Sequence, residues 1–488
     1  MFDSVRDYVA ALDERGRVLR VGDMDQDRYE ATGFVYRLKE RFGRELAPAF
    51  VIDRVRIGGR WIDGPVVGNL YGRWIDEAVL FGVEPVTNDV GQMYRAVMDE
   101  LGGRLDAGGN WPRIAPVEIA NPRAAPCKEV ILTGDAVDLE KFAWLKNNPA
   151  DVGRYVNMGA VFIQDPQIGS NVGTYRCQVK GPRKMGVNAN PGQHGGLILW
   201  SMRQRGDKIA KVAVAVAPDP MTFCASSTKM AGYLEDELEF AGGLRGKPLE
   251  VVKCEHSDIR VPAHSEIVIE GDVPLTEFEE EGPYGEMYGY LGPKKPQNYF
   301  MNITAITHRK NPWVLNSFTG LTGDMPKAPQ VASSFFRYKR LIPSLTALGS
   351  PGDAHGITVI SIQKRFPGEG MSAGQYVAAD PGLNKVVIVV DDDVDVLDAA
   401  EVLRAMGSRW QPNASLLIPR TQMHMPDPSR LVRGLSSKMV IDATRQLPGE
   451  GGPASWAPTN HELLLKLAPG VFDLVDERWP EYMKGRRK

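Results

Sequence analysis

The pattern of apolar and polar positions changes twice along the chain and divides it into three stretches. In the first stretch, Val5, Val9 and Leu12 recur at the spacing of one helix face, and PAFVIDRV has the apolar continuity of a buried strand. Because helical and strand patterns are mixed here, we predict an N-terminal α/β domain over residues 1–115.

The second stretch, from about residue 120 to 320, consists of short strand-like segments separated by turn residues. The segments are CKEVILTG, YVNMGAVFIQDP, VGTYRCQVKGP, IAKVAVAVAPDP, PLEVVKC, HSEIVIEGDVP and FMNITAITH. Such a dense succession of short strands is typical of a closed or split β-barrel. We therefore predict a central β domain over residues 116–325.

The third stretch begins after Pro329, where the α/β pattern returns. SSFFRYKRLI and LDAAEVLRAM have helical periodicity, and KVVIVVDDD between them is typical of a strand in a parallel sheet. We predict a C-terminal α/β domain over residues 326–465, with a Pro- and Gly-rich loop at 445–458. Helical periodicity and a basic terminus then predict a docking helix over 466–488.

Composition excludes several classes of protein. The chain has 488 residues, 43% hydrophobic and 24% charged, which is enough for several cores. A net charge of -3 provides no basic field for nucleic acid or an anionic membrane. The N-terminus lacks the apolar core of a secretory signal, and the apolar runs are shorter than the roughly 20 residues that span a bilayer. We therefore expect a cytoplasmic protein without a nucleic-acid or membrane partner.

The cysteines do not indicate a metal or disulfide framework. There are four of them, and their wide spacing contains no Cys-x-x-Cys pair. We expect buried thiols.

Three segments of the central stretch supply oxygen and nitrogen ligands without a thiolate. They are Asn171 to Arg176, Gln193-His194 and the acidic run from Glu235 to Glu239, EDELE. An amide oxygen, an imidazole and a carboxylate suit Mn2+ or Mg2+, with phosphate oxygens completing the shell. Spacing alone leaves another interpretation open, since an isolated histidine is more often a core residue and EDELE is typical of a solvated helix face.

Two carboxylates flank a Gly/Pro turn in the segment from Glu281 to Glu286. When two carboxylates share one cavity, the pKa of one rises and that group can donate a proton. Without other information, a charged surface turn is the alternative. Arg176 favours the first interpretation, because a guanidinium between the two would either hold a substrate acid or order the catalytic pair.

Several segments occur in an order that resembles the UbiD family of prenylated-FMN-dependent (de)carboxylases, which includes ferulic acid decarboxylase. The resemblance extends over almost the whole chain and is sharpest from about residue 155 to 325. It implies a split β-barrel flavin-binding domain between an N-terminal α/β domain and a C-terminal α/β oligomerisation domain. The segments are Asn171 to Arg176, Gln193-His194, Glu237 ahead of Phe240-Ala-Gly242, Val251 to Cys254, Val261 to Gly271, Glu281 to Glu286, VVDDDVDV and SSKMVIDAT.

The resemblance also implies which residues carry the chemistry. Asn171, His194 and Glu237 would hold Mn2+ or Mg2+ against the phosphate of prenylated FMN. Arg176, Glu281 and Glu286 would form the catalytic network, with Glu286 as the proton donor. The residues expected to bind the cofactor are Asn171, Val172, Gly173, Thr174, Tyr175, Arg176, Gln193, His194, Ser226, Ser227 and Glu237.

The implied reaction is the reversible, non-oxidative decarboxylation of an α,β-unsaturated or (hetero)aromatic carboxylic acid, with prenylated FMN reacting as an azomethine ylide. Backbone oxygens of Ser226 and Ser227 would hold K+, although Thr228 stands where ferulic acid decarboxylase has a methionine. A UbiX-type flavin prenyltransferase would supply the cofactor. The family implies a homodimer or a homohexamer.

Two residues are expected to line the substrate pocket. Asn190 lies three positions before the cofactor-contacting Gln193, where ferulic acid decarboxylase has an apolar side chain. An amide there predicts an added polar contact, and so an oxygenated or heteroaromatic acid or an unsaturated dicarboxylate more than plain cinnamate. By analogy with the family, Met287 would line the same pocket.

Two other functions remain open at this level. A metal-dependent hydrolase would use metal-bound water and no flavin, with Glu286 managing protons. A non-catalytic flavin-binding assembly partner would keep the fold but lose the Arg/Glu/Glu set, which this chain retains. The sequence therefore favours the decarboxylase.

Overall fold

Helix α1 (Val5–Asp13) forms where the apolar spacing predicts it and buries Val5, Tyr8, Val9 and Leu12. The computed structural model describes residues 1–322, 325–380, 384–422, 427–430 and 435–485. These residues form a multi-domain structure of the mixed α/β class, which confirms the predicted fold class. Among the described helices, none has the length and apolar character needed to cross a membrane.

The remaining helices are distributed along the whole chain. They are α2 (Glu30–Phe42), α3 (Trp74–Phe81), α4 (Val90–Gly103), α5 (His194–Arg205), α6 (Pro220–Ser226), α7 (Glu237–Arg245), α8 (Lys327–Lys339), α9 (Glu369–Ala379), α10 (Ala399–Arg409), α11 (Asn460–Leu467) and α12 (Val471–Tyr482).

The strands are concentrated in the middle of the chain. They are β1 (Val18–Asp25), β2 (Ala49–Ile57), β3 (Arg60–Gly68), β4 (Val117–Glu118), β5 (Val130–Thr133), β6 (Tyr155–Val156), β7 (Gly159–Asp165), β8 (Gly169–Thr174), β9 (Cys177–Gly181), β10 (Lys184–Val187), β11 (Ile209–Val216), β12 (Glu250–Lys253), β13 (Arg260–Pro262), β14 (Ile267–Pro274), β15 (Glu279–Glu281), β16 (Tyr284–Gly285), β17 (Leu291–Gly292), β18 (Lys295–His308), β19 (Val314–Asn316), β20 (Leu345–Gly349), β21 (Ile357–Ile362), β22 (Val386–Asp391), β23 (Ser415–Gln422) and β24 (Leu435–Asp442).

The N-terminal sheet includes a strand from much later in the chain. Its order is β1-β2-β3-β19, and β19 lies parallel to β3 with Val314 opposite Val66. The segment after β19 then returns to the central domain, where the Ser317 carbonyl accepts a hydrogen bond of 2.8 Å from Asn157 Nδ2. This pairing fixes the 314–319 segment beside the residues of the candidate site.

The central sheet has ten strands in the order β6-β9-β10-β18-β14-β11-β7-β8, with β5 and β15 also paired to β18. All of its ladders are antiparallel. Within the described residues no ladder joins β6, at one end of this order, to β8 at the other. Strand β11 is buried along its C-terminal half, which explains the nearly continuous apolar run in this segment.

The C-terminal sheet has the order β20-β21-β22-β24-β23, with parallel pairs in its middle and antiparallel strands at its edges. Its buried residues form one cluster on each face, whereas the first two sheets share one continuous core. At the end of the chain, α12 lies within residues 466–488, where the sequence predicts a docking helix, and α11 precedes it. Both leave large apolar side chains exposed, including Leu467 and Trp479.

Candidate active site

A break between two strands of the central sheet positions Arg176. Strand β8 ends at Thr174 and β9 begins at Cys177, so Tyr175 and Arg176 lie in the connection between them. The Arg176 guanidinium donates from Nε and Nη2 to the two oxygens of Glu281, each at 2.9 Å. This bidentate geometry fixes both side chains against each other.

Glu286 contacts the same guanidinium through a single oxygen. Arg176 Nη1 donates to Glu286 Oε1 at 2.5 Å, and the structure shows no hydrogen-bond partner for Oε2 among the residues it describes. Glu281, in contrast, uses both oxygens and also accepts from the Tyr155 hydroxyl at 3.1 Å. The two carboxylates are therefore not equivalent, because both oxygens of Glu281 accept hydrogen bonds, whereas Oε2 of Glu286 remains available for a ligand.

The environment keeps Glu281 ionised. Its side chain is fully buried, and burial alone would raise the pKa of its carboxyl. The hydrogen bonds and charge of Arg176 outweigh burial, so the pKa of Glu281 lies below its ordinary value. The guanidinium also lies over the ring of Tyr284, 4.6 Å from its centroid, which holds it from a third side.

A second polar cluster joins β8 to the start of α7. Asn171 Nδ2 donates to Glu237 Oε1 at 2.5 Å, and the backbone N–H of Val172 donates to Oε2 at 2.9 Å. The Tyr175 hydroxyl donates to Asn171 Oδ1 at 2.9 Å and accepts from the N–H of Gly195 at 3.2 Å. His194 precedes Gly195 at the start of α5, so the backbone connects it to this cluster, and its ring lies edge-on to that of Tyr233.

The donor chemistry of this cluster fits a divalent cation. Burial raises the pKa of Glu237 to about 7, and no cationic side chain lies within ion-pair distance of it among the described residues. A buried carboxylate without a positive partner is costly, and a metal ion would compensate it. Burial and the charge of Lys229 lower the pKa of His194, which favours the neutral imidazole that binds metals.

The described residues contain no group of three or more His, Cys, Asp and Glu side chains that would hold a metal by themselves. The predicted set of Asn171, His194 and Glu237 contains only two such residues, because its third member is an amide. A flavin phosphate would supply the further oxygens that such a set needs.

Hydroxyl groups line the end of α6 next to β8. Thr174 Oγ1 lies 3.1 Å from Ser226 Oγ and 2.8 Å from Ser227 Oγ. The neighbouring Thr228 Oγ1 is buried and has no partner among the described residues. An orphaned buried hydroxyl at this place is consistent with a bound polar group such as a phosphate or a cation.

Gln193 and Gly173 support the backbone of the site. Gln193 Oε1 accepts from the N–H of Asn190 at 2.8 Å and so braces its own loop. At Gly173 a Cβ atom would lie 2.5 Å from the ring of Tyr175, so a larger residue would displace that ring. Met287 follows Glu286 and is half-buried.

The sequence does not single out Lys295, which the structure places in this site. Its Nζ donates to Asn188 Oδ1 and to Asn190 Oδ1, each at 2.7 Å. Strand β18 begins with this lysine and pairs it with Glu281 of β15. The available signal was its position shortly after the turn from Glu281 to Glu286, but no motif marks it.

Two family models match consecutive parts of the chain. A family model described as the UbiD 3-octaprenyl-4-hydroxybenzoate carboxy-lyase Rift-related domain matches residues 118–322, and the corresponding C-terminal domain model matches 327–443. An uncharacterized protein of Archaeoglobus fulgidus is 30% identical over 477 residues, covering 93% of this chain and 94% of its own.

Two solved structures resemble almost the whole chain. Vanillic acid decarboxylase of Sedimentibacter hydroxybenzoicus in its closed form has a TM-score of 0.82 at 25% identity, covering 99% of this chain and 100% of that one. An evolved dimeric form of the UbiD-class enzyme HmfF from Pelotomaculum thermopropionicum, in complex with prFMN, has a TM-score of 0.75 at 26% identity, covering 97% and 98%.

Proposed function

This chain belongs to the UbiD family and is a carboxy-lyase, and we propose which reaction it catalyses. The reaction is the reversible, non-oxidative decarboxylation of an α,β-unsaturated or (hetero)aromatic carboxylic acid. The network of Arg176, Glu281 and Glu286 is the observation that carries this proposal. It places one fixed carboxylate and one carboxylate with an available oxygen on the same guanidinium.

In this proposal Glu286 donates the proton to the carbon that loses CO2. Its Oε1 is anchored by Arg176, and Oε2 remains to carry the proton toward a substrate. Glu281 is unsuited to that role, since both its oxygens already accept hydrogen bonds and the pKa of its carboxyl lies below the ordinary value. Glu281 instead orients Arg176, and Arg176 orients the donor.

The cofactor in this proposal is prenylated FMN, held with the help of a divalent cation such as Mn2+. A modified flavin supplies the electron sink that makes loss of CO2 from an unactivated acid accessible. Asn171, His194 and Glu237 would hold the cation, and the hydroxyls of Thr174 and Ser227 would lie next to the phosphate. Two observations support the assignment: the carboxylate of Glu237 is buried without an ion pair, and the hydroxyls of Thr174 and Ser227 lie close together.

Further parts of the proposal follow the family. K+ would bind at the backbone oxygens of Ser226 and Ser227, and the orphaned hydroxyl of Thr228 is consistent with a ligand nearby. A UbiX-type prenyltransferase would supply the cofactor to a cytoplasmic homodimer or homohexamer. The evolved dimeric form of HmfF was solved in complex with prFMN, which supports the cofactor.

The test is CO2 release from a panel of unsaturated and aromatic acids in D2O. The enzyme is co-produced with a flavin prenyltransferase and supplied with Mn2+ and K+, and the matched control is the same chain produced without the prenyltransferase. We expect CO2 and a product deuterated at the carbon that carried the carboxylate, from the co-produced enzyme alone. Equal turnover by the control with ordinary FMN would contradict the cofactor assignment, and no turnover of any acid would contradict the proposed reaction.

A further inference from the structure

The positive charges of the candidate site differ in how they are compensated. Arg176 makes a bidentate pair with Glu281 and a further bond to Glu286, so its charge is used within the protein. Lys295 lies in the same electrostatic environment, yet its two hydrogen bonds go to neutral amide oxygens. Among the described residues no carboxylate lies within ion-pair distance of its Nζ, so this ammonium stands beside the catalytic network without an ion pair.

Two hydrogen bonds hold the ammonium group of Lys295 in one position. Asn188 and Asn190 each accept at 2.7 Å and occupy two of its three N–H donors. The third N–H has no partner within the described part of the chain. Holding a flexible lysine at two points removes most of the entropy that it would otherwise lose on binding a ligand. The site therefore offers a preorganised donor to an anion.

The charge is costly where it stands. Burial and the charge of Arg176 lower the pKa of Lys295 to about 8, whereas Glu281 and Glu286 raise it and Arg430 lowers it. A half-buried cation without an ion pair is destabilising unless a ligand completes it. The same geometry gives Asn190 a different role from the one its sequence position suggests, because its amide oxygen faces Lys295.

We propose that Lys295 is a specificity-determining residue that binds a second anionic oxygen group of the substrate, a carboxylate retained through the reaction, and that Asn190 is its positioning residue. This inference rests on the proposed function of the site. A cation paired with the departing carboxylate would stabilise the bound acid more than the transition state, in which that charge is leaving. A retained carboxylate keeps its charge throughout, so binding it costs no rate.

The binding test uses saturated acids that the holoenzyme cannot decarboxylate. The probes are 3-phenylpropanoate and its derivatives with a carboxylate at position 3 or 4 of the ring. The derivative with a hydroxyl at position 4 of the ring tests whether the site prefers a carboxylate to a phenol. Calorimetry on the wild-type holoenzyme should show tighter binding of one dicarboxylate than of the monoacid. The selectivity ratio is the Kd of the monoacid divided by the Kd of the dicarboxylate. In Lys295→Met this ratio should fall by about 10- to 100-fold, the range of a charge-assisted hydrogen bond.

Two further variants separate selectivity from structural damage. Lys294→Met removes the neighbouring lysine, which is exposed and paired with Glu280, and should keep the wild-type ratio. Asn190→Leu keeps the ammonium but loosens it, so the ratio should fall by a smaller factor. A purely structural role for Lys295 predicts equal weakening of monoacid and dicarboxylate, and that result would overturn the inference. Preference for the hydroxyl derivative over both dicarboxylates would also overturn it.

Turnover distinguishes this inference from the function on which it rests. With cinnamate and carboxycinnamates as substrates, we expect the wild-type enzyme to favour a carboxycinnamate and Lys295→Met to lose that preference. Turnover of cinnamate as the best substrate would overturn the Lys295 assignment and leave the decarboxylase intact. Lys295-dependent binding of the dicarboxylate without CO2 release from any acid would overturn the proposed function and support the anion site.

Discussion

Replacing Glu286 with glutamine removes the ionisable proton of the carboxyl group and changes little else. The amide keeps the size of the side chain, and its oxygen can still accept from Arg176 Nη1, so the network of Arg176 and Glu281 stays in place. The amide cannot act as an acid near neutral pH, so the gain from general acid catalysis is lost. We expect kcat to fall by about 10²- to 10⁴-fold, the usual contribution of such a group.

The assay measures CO2 release and deuterium incorporation by the loaded variant, alongside its flavin content. The flavin content should match that of the wild-type enzyme, because Glu286 is not among the residues proposed to hold the cofactor. Glu280→Gln is the matched control, since Glu280 is exposed on the same segment and pairs with Lys294. Turnover of loaded Glu286→Gln within about threefold of the control would refute the proton-donor assignment.

The remaining predictions concern stability, metal content and pH. Glu281→Gln leaves a buried Arg176 with one ion pair, and urea unfolding should show that the free energy of unfolding falls by about 3 kcal/mol. An unchanged free energy of unfolding would contradict the view that Arg176 and Glu281 form a buried ion pair. Glu237→Gln should weaken Mn2+ binding at least about 10-fold by metal analysis, whereas replacing its half-buried neighbour, Glu239→Gln, which pairs with Arg113, should not. The dicarboxylate preference set by Lys295 should be present below pH 8 and decline above it, since the ammonium is lost there while the ligand carboxylates stay ionised.

The sequence predicted local elements better than their partners. Strand β11 and helix α10 formed where apolar periodicity placed them, since each is determined by neighbouring residues. Strand β19 joining β3 was not foreseen, because a strand of three residues, Val-Leu-Asn, does not specify a distant partner. The sequence predicted a docking helix over 466–488, and α12 forms inside that range, while its docking role stays a prediction.

The candidate site divides in a similar way. The resemblance named Arg176, Glu281 and Glu286, and the structure brings these three side chains into direct contact, while their roles remain predictions. Asn190 was predicted as a polar group of the pocket, which stays a prediction, and the structure adds that its amide oxygen accepts a hydrogen bond from Lys295. That contact spans 105 residues and depends on the register of β18, which local spacing does not reveal.

The most informative single measurement is the mass of the flavin extracted from enzyme that is co-produced with a flavin prenyltransferase. We expect the mass of prenylated FMN, a visible spectrum different from that of FMN, and bound Mn2+ that Glu237→Gln loses. Active protein that carries manganese but no flavin would contradict the cofactor assignment and favour a metal-dependent hydrolase.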